Sequence, residues 1–215
     1  QQFKLIYRIL DARGSPKWVL EQGRGIYNTQ GELINLEGFI TDITDRKKME
    51  ETLRELSLTD ELTGLYNRRG FMTLAAQQLK IADRLKQELC LIYTDVDKMK
   101  WINDTLGHKE GDRALIETAS VLRNTFRASD VIARIGGDEF VGLAIETLDK
   151  SHDMILNRLQ ENITAQNIHG TRSYQLSISV GIAQYKPDNP VTIEELLDQA
   201  DREMYAQKRK KQYDT

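Results

Sequence analysis

Two short β-favouring runs, residues 131–135 and 140–145, flank the sequence Gly136-Gly137-Asp138-Glu139, and this juxtaposition limits what the chain can become. Paired glycines between strand-forming runs predict a β-hairpin with a two-residue turn, because glycines accept the positive φ angles that such turns need. A tip without side chains lets backbone approach a ligand closely. The two carboxylates that follow are hard oxygen donors, and bare backbone beside them suits a metal-bound polyphosphate. Taken alone, the same residues also describe an ordinary solvated hairpin with an acidic tip.

A second acidic site gives the first a partner. Residues 88–97 read as a strand, with Leu91, Tyr93 and Asp95 to one side and Cys90, Ile92 and Thr94 to the other. It ends in Asp95 and Asp97, two residues apart and so on one face. Asp97 alone reads as a cap on the following turn. Asp95 closes a strand expected in the core, where a carboxylate is costly unless it is paired or bound to metal. If the hairpin lies beside this strand, Asp95 and Asp138 converge. Two carboxylates bridging two Mg²⁺ ions are the working part of many phosphoryl-transfer enzymes.

Upstream, residues 4–10, 16–27 and 33–41 read as strands, with turns at 11–14 and 28–31. Three strands alone bury little, so this segment is expected to need further neighbours. A charged helix over residues 45–56 follows. Its Met49, Leu53 and Leu56 are spaced four and three apart, the pattern of a connector helix or a short coiled-coil seam. From residue 57 onward helices and strands alternate. A helix over 67–86 places Phe71, Leu74, Ala75, Gln78 and Leu85 on roughly one face, and one over 108–126 places Leu115, Ala119, Leu122 and Phe126 on one stripe. A helix near 151–165 and a strand over 174–183 come next. The last helix starts at Thr192, an N-cap with Glu195 three residues on, and carries Leu196, Ala200 and Met204 inward. A sheet with helices on one face satisfies this order.

Composition narrows the classes. The 215 residues suffice for one well-buried domain and a smaller piece, and 40% hydrophobic with 29% charged residues is ordinary for a globular protein. A net charge of -3 gives no electrostatic case for nucleic acid. No apolar run approaches the ~18 residues of a membrane span, and no secretory signal opens the chain. The expectation is a cytoplasmic segment without membrane contact of its own, with anchoring of a parent chain left open. A start at Gln1 reads as a fragment of something longer. Cys90 lies in an apolar run and is expected to be a buried strand residue, and His108, His152 and His169 show no ligand spacing.

Five separated motifs, in order, cover the chain from about Asp60 to its end. They are Asp60-Glu61-Leu62-Thr63-Gly64-Leu65-Tyr66-Asn67-Arg68-Arg69, the block from Asp95 to Asp112, Arg134-Ile135-Gly136-Gly137-Asp138-Glu139-Phe140, Leu176-Ser177-Ile178-Ser179-Val180-Gly181-Ile182-Ala183, and Ala200-Asp201 through Tyr205 to Lys208. Together they resemble the GGDEF family of diguanylate cyclases. The resemblance implies an α/β (α+β) fold, an adenylyl-cyclase-like palm with a central, mostly antiparallel sheet and surrounding helices. It implies condensation of two GTP into cyclic di-GMP with release of two pyrophosphates, across a homodimer in which each subunit holds one GTP. Two Mg²⁺ (or Mn²⁺) per active site are expected on Asp95, the Val96 carbonyl and Asp138, with Glu139 helping at the metal or at the 3′-hydroxyl. Asp95, Asp138 and Glu139 are the implied catalytic set.

The same resemblance places Asn103 and Asp112 at guanine-reading positions. An ionised Asp only accepts, so it suits the N1–H and N2–H₂ donors of guanine and rejects adenine. As plain structure these two are turn and helix-cap residues. Lys98, Met99 and Lys100 match a loop whose amides hold terminal phosphates. Gly136, Gly137 and Lys208 complete the expected substrate contacts. The C-terminal helix departs from the family: where Gly-Arg usually follows Lys208 at three and four residues, Lys211 and Gln212 stand. Lys210 or Lys211 then remains as a point charge without arginine's fork, and Arg209 reads as part of a solvated basic end.

Arg127-Ala128-Ser129-Asp130, with five residues between Asp130 and Gly136, matches the family's inhibitory product site. Arginine there would bind the O6/N7 edge of guanine, with Arg158 adding a contact from an adjacent helix, so cyclic di-GMP is expected as both product and feedback ligand. As plain structure the quartet is a helix-end arginine and a loop aspartate. The front segment resembles the C-terminal half of a PAS sensor domain, on Tyr7-Arg8, Gly14-Ser15 with Trp18-Val19, Asp42-Ile43-Thr44 and Arg46-Lys47. The expected division is residues 1–44 as a PAS fragment, 45–58 as a connector helix and 59–215 as the cyclase domain. The rival class is a catalytically impaired module that binds GTP or cyclic di-GMP. The acids Asp95, Asp138 and Glu139 favour catalysis, and the missing arginine at 212 favours the rival.

Overall fold

A computed structural model describes residues 2–145, 151–169 and 172–213, without the side chains of residues 54–56, 151, 169, 212 and 213. The inward position expected of Leu56, any contact of the Gln212 side chain and the ligand spacing of His169 therefore lie outside the described residues. The chain divides into two compact units, Gln1–Ser57 and Leu58–Thr215.

The first unit is an antiparallel meander of β1 (Gln2–Leu10), β2 (Pro16–Tyr27) and β3 (Leu33–Asp42), followed by α1 (Thr44–Leu56). Each hairpin is coded locally. Asp11 Oδ1 accepts the amides of Arg13 and Ser15, Asn28 Oδ1 accepts those of Gln30 and Glu32, and Gly14 and Gly31 take the left-handed φ of 78° and 83°. β3 is exposed along its whole length, and on α1 Met49 and Leu53 are both exposed.

The second unit contains α2 (Arg68–Leu85), β4 (Leu89–Val96), α3 (Met99–Leu106), α4 (His108–Thr125), β5 (Val131–Arg134), β6 (Glu139–Ala144), α5 (Ser151–His169), β7 (Ile178–Tyr185) and α6 (Ile193–Tyr213). Its four strands pair antiparallel in the order β5-β6-β4-β7. This is the mixed α/β architecture with an antiparallel sheet that the motifs imply. Helices cover both faces rather than one. β4 is buried at every residue. Cys90, Ile92 and Val96 pack with Ile102, Leu115, Leu122 and Leu159, whereas Leu89, Leu91 and Tyr93 pack with Phe71, Ala75, Leu196 and Met204. A strand without polar alternation is the mark of burial on two sides. Cys90 is 1% exposed, and burial pushes its thiol up to about 12.

Local side chains close the element ends. Asn67 Oδ1 accepts the Gly70 amide at 2.9 Å to cap α2, worth about 1 kcal/mol. Thr192 and Glu195 form the reciprocal box before α6, at 3.2 and 2.8 Å. Three details differ from expectation. α3 is an extra short helix where a loop was read. The buried residues of α2 are Gly70, Phe71, Ala75, Leu79 and Ala82, while Leu85 is exposed. β7 begins four residues later than read, because Asn167 of α5 takes both backbone groups of Leu176, accepting its N–H at 2.7 Å and donating to its carbonyl at 2.9 Å.

Candidate nucleotide and metal site

β4 delivers Asp95 and then Asp97 to the end of the sheet where β6 starts. Asp95 pairs with Glu139 across the β4–β6 ladder, so these two share a face, and the Val96 amide donates to the Asp138 carbonyl at 3.0 Å. The hairpin therefore lies beside the strand. Its connection is wider than two residues, and neither glycine adopts a positive φ. Ile135 N–H and Gly136 N–H both point to the Glu139 carbonyl, at 3.0 and 3.4 Å. The glycines serve close approach instead: a side chain on Gly136 would collide with Glu139 Oε2, whereas Gly137 faces open space. Arg134 supplies the closure that a tight turn would have given. Its Nε and Nη2 donate to the Gly137 carbonyl at 3.1 and 2.7 Å, and its Nη1 reaches Asp60 at 3.3 Å.

Asp95 is 6% exposed and meets Lys208 Nζ at 2.5 Å. Burial pushes its carboxyl up, Lys208 opposes the shift, and the nearby charge of Asp138 adds to it. Burial by itself would lower Lys208, yet Asp95 and the charges of Asp138 and Asp97 outweigh it and hold the ammonium above its ordinary value. Asp97 does not cap a turn. It accepts from Ser177 Oγ at 2.5 Å, Ser179 Oγ at 2.6 Å and Lys211 Nζ at 2.8 Å. Burial would raise it, but these donors hold it below the usual carboxylate range. Three carboxylates thus face two lysines, leaving a surplus of negative charge.

That surplus is the test for a divalent cation. Among the described residues no three carboxylate, imidazole or thiol groups are arranged to hold an ion by themselves. Mg²⁺ asks for less, since it commonly takes one or two carboxylates and completes its shell with phosphate oxygens and water. Asp95, Asp138 and the Val96 carbonyl are donors of the right hardness, and Lys208 sits as the countercharge. The residues fit the ion.

The β4–α3 turn has a backbone form of the kind that can receive an anion. Lys98 adopts φ 60°, ψ 23°, unusual for a residue with a side chain, and precedes the first helical residue Met99 with no side chain capping the helix. A left-handed residue followed by a right-handed one turns successive amides into a single concavity, at Met99 and Lys100. Asn103 lies within α3 and Asp112 within α4, so neither is a cap. Gly107, at φ 89°, joins the helices. A side chain on Gly111 would collide with Asn103 Oδ1, so the amide of Asn103 lies against α4 one residue from Asp112.

The Arg127–Asp130 quartet sits at the C-terminal end of α4. Asp130 accepts the Arg127 amide at 2.8 Å and the Ile145 amide at 3.0 Å, while the Arg127 side chain is exposed. Asn162 of α5 donates to Thr125 at 3.0 Å, and Arg158 lies one turn earlier on that face. The Arg158 Nε is buried without a hydrogen-bond partner. Sequence reasoning missed Arg134 as the loop's staple, and missed Tyr93, which shares the face of Asp95 and is pushed up by burial and by Glu139. The same-face spacing of Tyr93 and Asp95 was the available signal.

The family profile described as diguanylate cyclase, GGDEF domain, matches residues 57–214. Probable diguanylate cyclase DgcC of Escherichia coli (strain K12) is 34% identical over 176 residues, 81% of this chain and 47% of that protein. Diguanylate cyclase TpbB of Pseudomonas aeruginosa (strain PAO1) is 32% identical over 219 residues, 97% of this chain and 49% of that protein. The solved GGDEF domain of TpbB aligns with a TM-score of 0.63 at 35% identity, over 71% of this chain and 89% of that one. The coiled coil and GGDEF domain of DgcB from Caulobacter crescentus, in complex with c-di-GMP, aligns with a TM-score of 0.65 at 25% identity, over 78% and 88%. The chain spans about half the length of the curated relatives it matches.

Proposed function

The chain belongs to the GGDEF family of diguanylate cyclases, and on that footing we propose that it condenses two GTP into cyclic di-GMP across a homodimer. The observation that carries this reading is the surplus of carboxylate at the end of β4, where Asp95, Asp97 and Asp138 gather beside the α3 amides. In each half-reaction a 3′-oxygen attacks the α-phosphorus of the partner's GTP, the bond to the β-phosphate breaks, and pyrophosphate leaves. Glu139 shares the face of Asp95 and accepts the 3′-hydroxyl proton. The amides at Lys98, Met99 and Lys100 and the ammonium of Lys208 hold the terminal phosphates, while Gly136 and Gly137 leave room for the nucleotide. Asn103 and Asp112 read guanine. Asp95, the Val96 carbonyl and Asp138, with Glu139, would hold two Mg²⁺ or Mn²⁺, which supply Lewis-acid activation of the hydroxyl and charge neutralisation on the leaving pyrophosphate.

Arg127, Asp130 and Arg158 form the proposed feedback site for cyclic di-GMP. The exposed guanidinium of Arg127 supports it, since guanine presents two acceptors to such a donor. Residues 1–44 are assigned as the C-terminal part of a PAS sensor, with residues 45–58 as connector, residues 59–215 as the cyclase domain and the whole segment as cytoplasmic. No helix among the described residues is long and apolar enough to cross a membrane.

A second reading, a module that binds GTP or cyclic di-GMP without turnover, draws on Lys211 and Gln212 standing where the family's Gly-Arg is usual. Chromatography of nucleotides after incubation with GTP and Mg²⁺ separates the two. Cyclic di-GMP that vanishes in Asp138→Ala supports the cyclase, and GTP bound but unconsumed supports the module. For feedback, Arg127→Ala should abolish inhibition by added cyclic di-GMP at unchanged initial rate; inhibition that persists sinks that assignment.

A further inference from the structure

β7 is an edge strand. β4 covers one side of it, and the backbone groups of Ile178, Val180 and Ile182 face the other. Open edges invite another strand. Here α6 meets them with side chains. Ile182 N–H donates to Glu203 Oε2 at 3.1 Å, Val180 N–H donates to Gln207 Oε1 at 2.5 Å, and the Ile178 carbonyl accepts from Lys211 Nζ at 2.7 Å. The helix positions are four apart, the strand positions two apart, and the two elements run in opposite directions. Four helical residues rise about 6.0 Å and two strand residues about 6.8 Å, so the mismatch over two steps stays under ~2 Å. The longest of the three side chains, lysine, takes the last rung.

A neighbouring stripe of the same helix, Leu196, Ala200 and Met204, is buried, and its next position is Lys208 on Asp95. Ala200 and Met204 lie so close over Gly181 that a side chain there would meet helix backbone. Gly181 thus sets the height of α6 above the sheet, and the edge contacts set its rotation and slide.

We propose that Glu203, Gln207 and Lys211 form a side-chain ladder that stands in for a fifth strand and, by fixing α6 on β7, positions Lys208 at the nucleotide site; the last step rests on the GTP reading above. All three are positioning residues. Lys211 thereby has a task other than replacing the missing phosphate-binding arginine, since its ammonium is held by the Ile178 carbonyl and Asp97.

Hydrogen exchange of the full chain without nucleotide tests the ladder, and GTP kinetics test the positioning. Gln207→Leu should speed exchange at the Val180 amide by about tenfold, and Gln207→Glu, which keeps an acceptor, should restore it. KM for GTP should rise severalfold in Gln207→Leu with kcat nearly unchanged, and recover in Gln207→Glu. Should Gln207→Leu not fold, Glu203→Leu gives the same reading at Ile182. Unchanged exchange at Val180 overturns the ladder. Faster exchange with unchanged KM overturns the positioning. A KM in Lys211→Met far above that of Gln207→Leu, with Val180 undisturbed, overturns the assignment of Lys211. A wild-type protein that neither binds nor turns over GTP removes the nucleotide half together with the reading it rests on, and the exchange data still decide the ladder.

Discussion

Asp60 ties the start of the second unit to the hairpin through one carboxylate. Its Oδ1 accepts the Thr63 amide at 2.9 Å and the Thr63 hydroxyl at 2.6 Å, and Arg134 carries the link on to the Gly137 carbonyl. Burial would push the Asp60 carboxyl up, but Thr63 and Arg134 outweigh it and hold it below its ordinary value. A depressed folded pKa means that the ionised form stabilises the fold, fully so above the unfolded value of about 3.9. That contribution disappears as pH falls through the lower folded value. Asp60→Asn should therefore lower stability by about 1–2 kcal/mol near neutrality, and the gap from wild type should close below about pH 4. Urea unfolding at several pH values checks this, and a gap that does not narrow as pH falls below about 4 refutes it. Asp95 was legible as a costly buried acid. The partners of Asp97 were not, because Ser177, Ser179 and Lys211 lie 80 to 114 residues further along the chain.

Elements whose ends are coded within a few residues were the readable ones. The turns at Asp11 and Asn28, the cap at Asn67 and the box at Thr192 each complete themselves locally. β7 shows the opposite case. Residues 174–177 carry strand-like sequence, yet a side chain of α5 replaces the strand partner of Leu176, and no local signal announces it. Asn167→Ala should leave the Leu176 N–H and carbonyl without those bonds, at a cost of about 2 kcal/mol or more. Asn167→Asp keeps the acceptor and loses the donor, so it should fall between. Urea midpoints of the three proteins measure the series; an Asn167→Ala loss below about 0.5 kcal/mol, within the range of a neutral surface change, would deny the side chain its strand-like role.

At the scale of the molecule, the helices on both faces of the sheet follow from the strand order β5-β6-β4-β7, which long-range pairing sets and element order does not reveal. The uninterrupted apolar run of β4 was the one readable hint of two-sided burial. The proposed chemistry also exceeds a single chain. On the proposed reading, one chain with one Asn103–Asp112 pair and one acidic cluster would accommodate one GTP, whereas a cyclic dinucleotide needs two nucleotides that attack each other. A second copy must bring the second GTP. Mixed dimers with an inactive partner then waste the active one. Tenfold excess of Asp138→Ala protein, added at concentrations where dimers exchange, should cut wild-type turnover to about a tenth, in step with the fraction of wild-type chains still paired with one another. Dilution of wild-type protein alone should likewise lower turnover per chain. Turnover that ignores both the added variant and the dilution would place the whole reaction within one chain and refute the shared site.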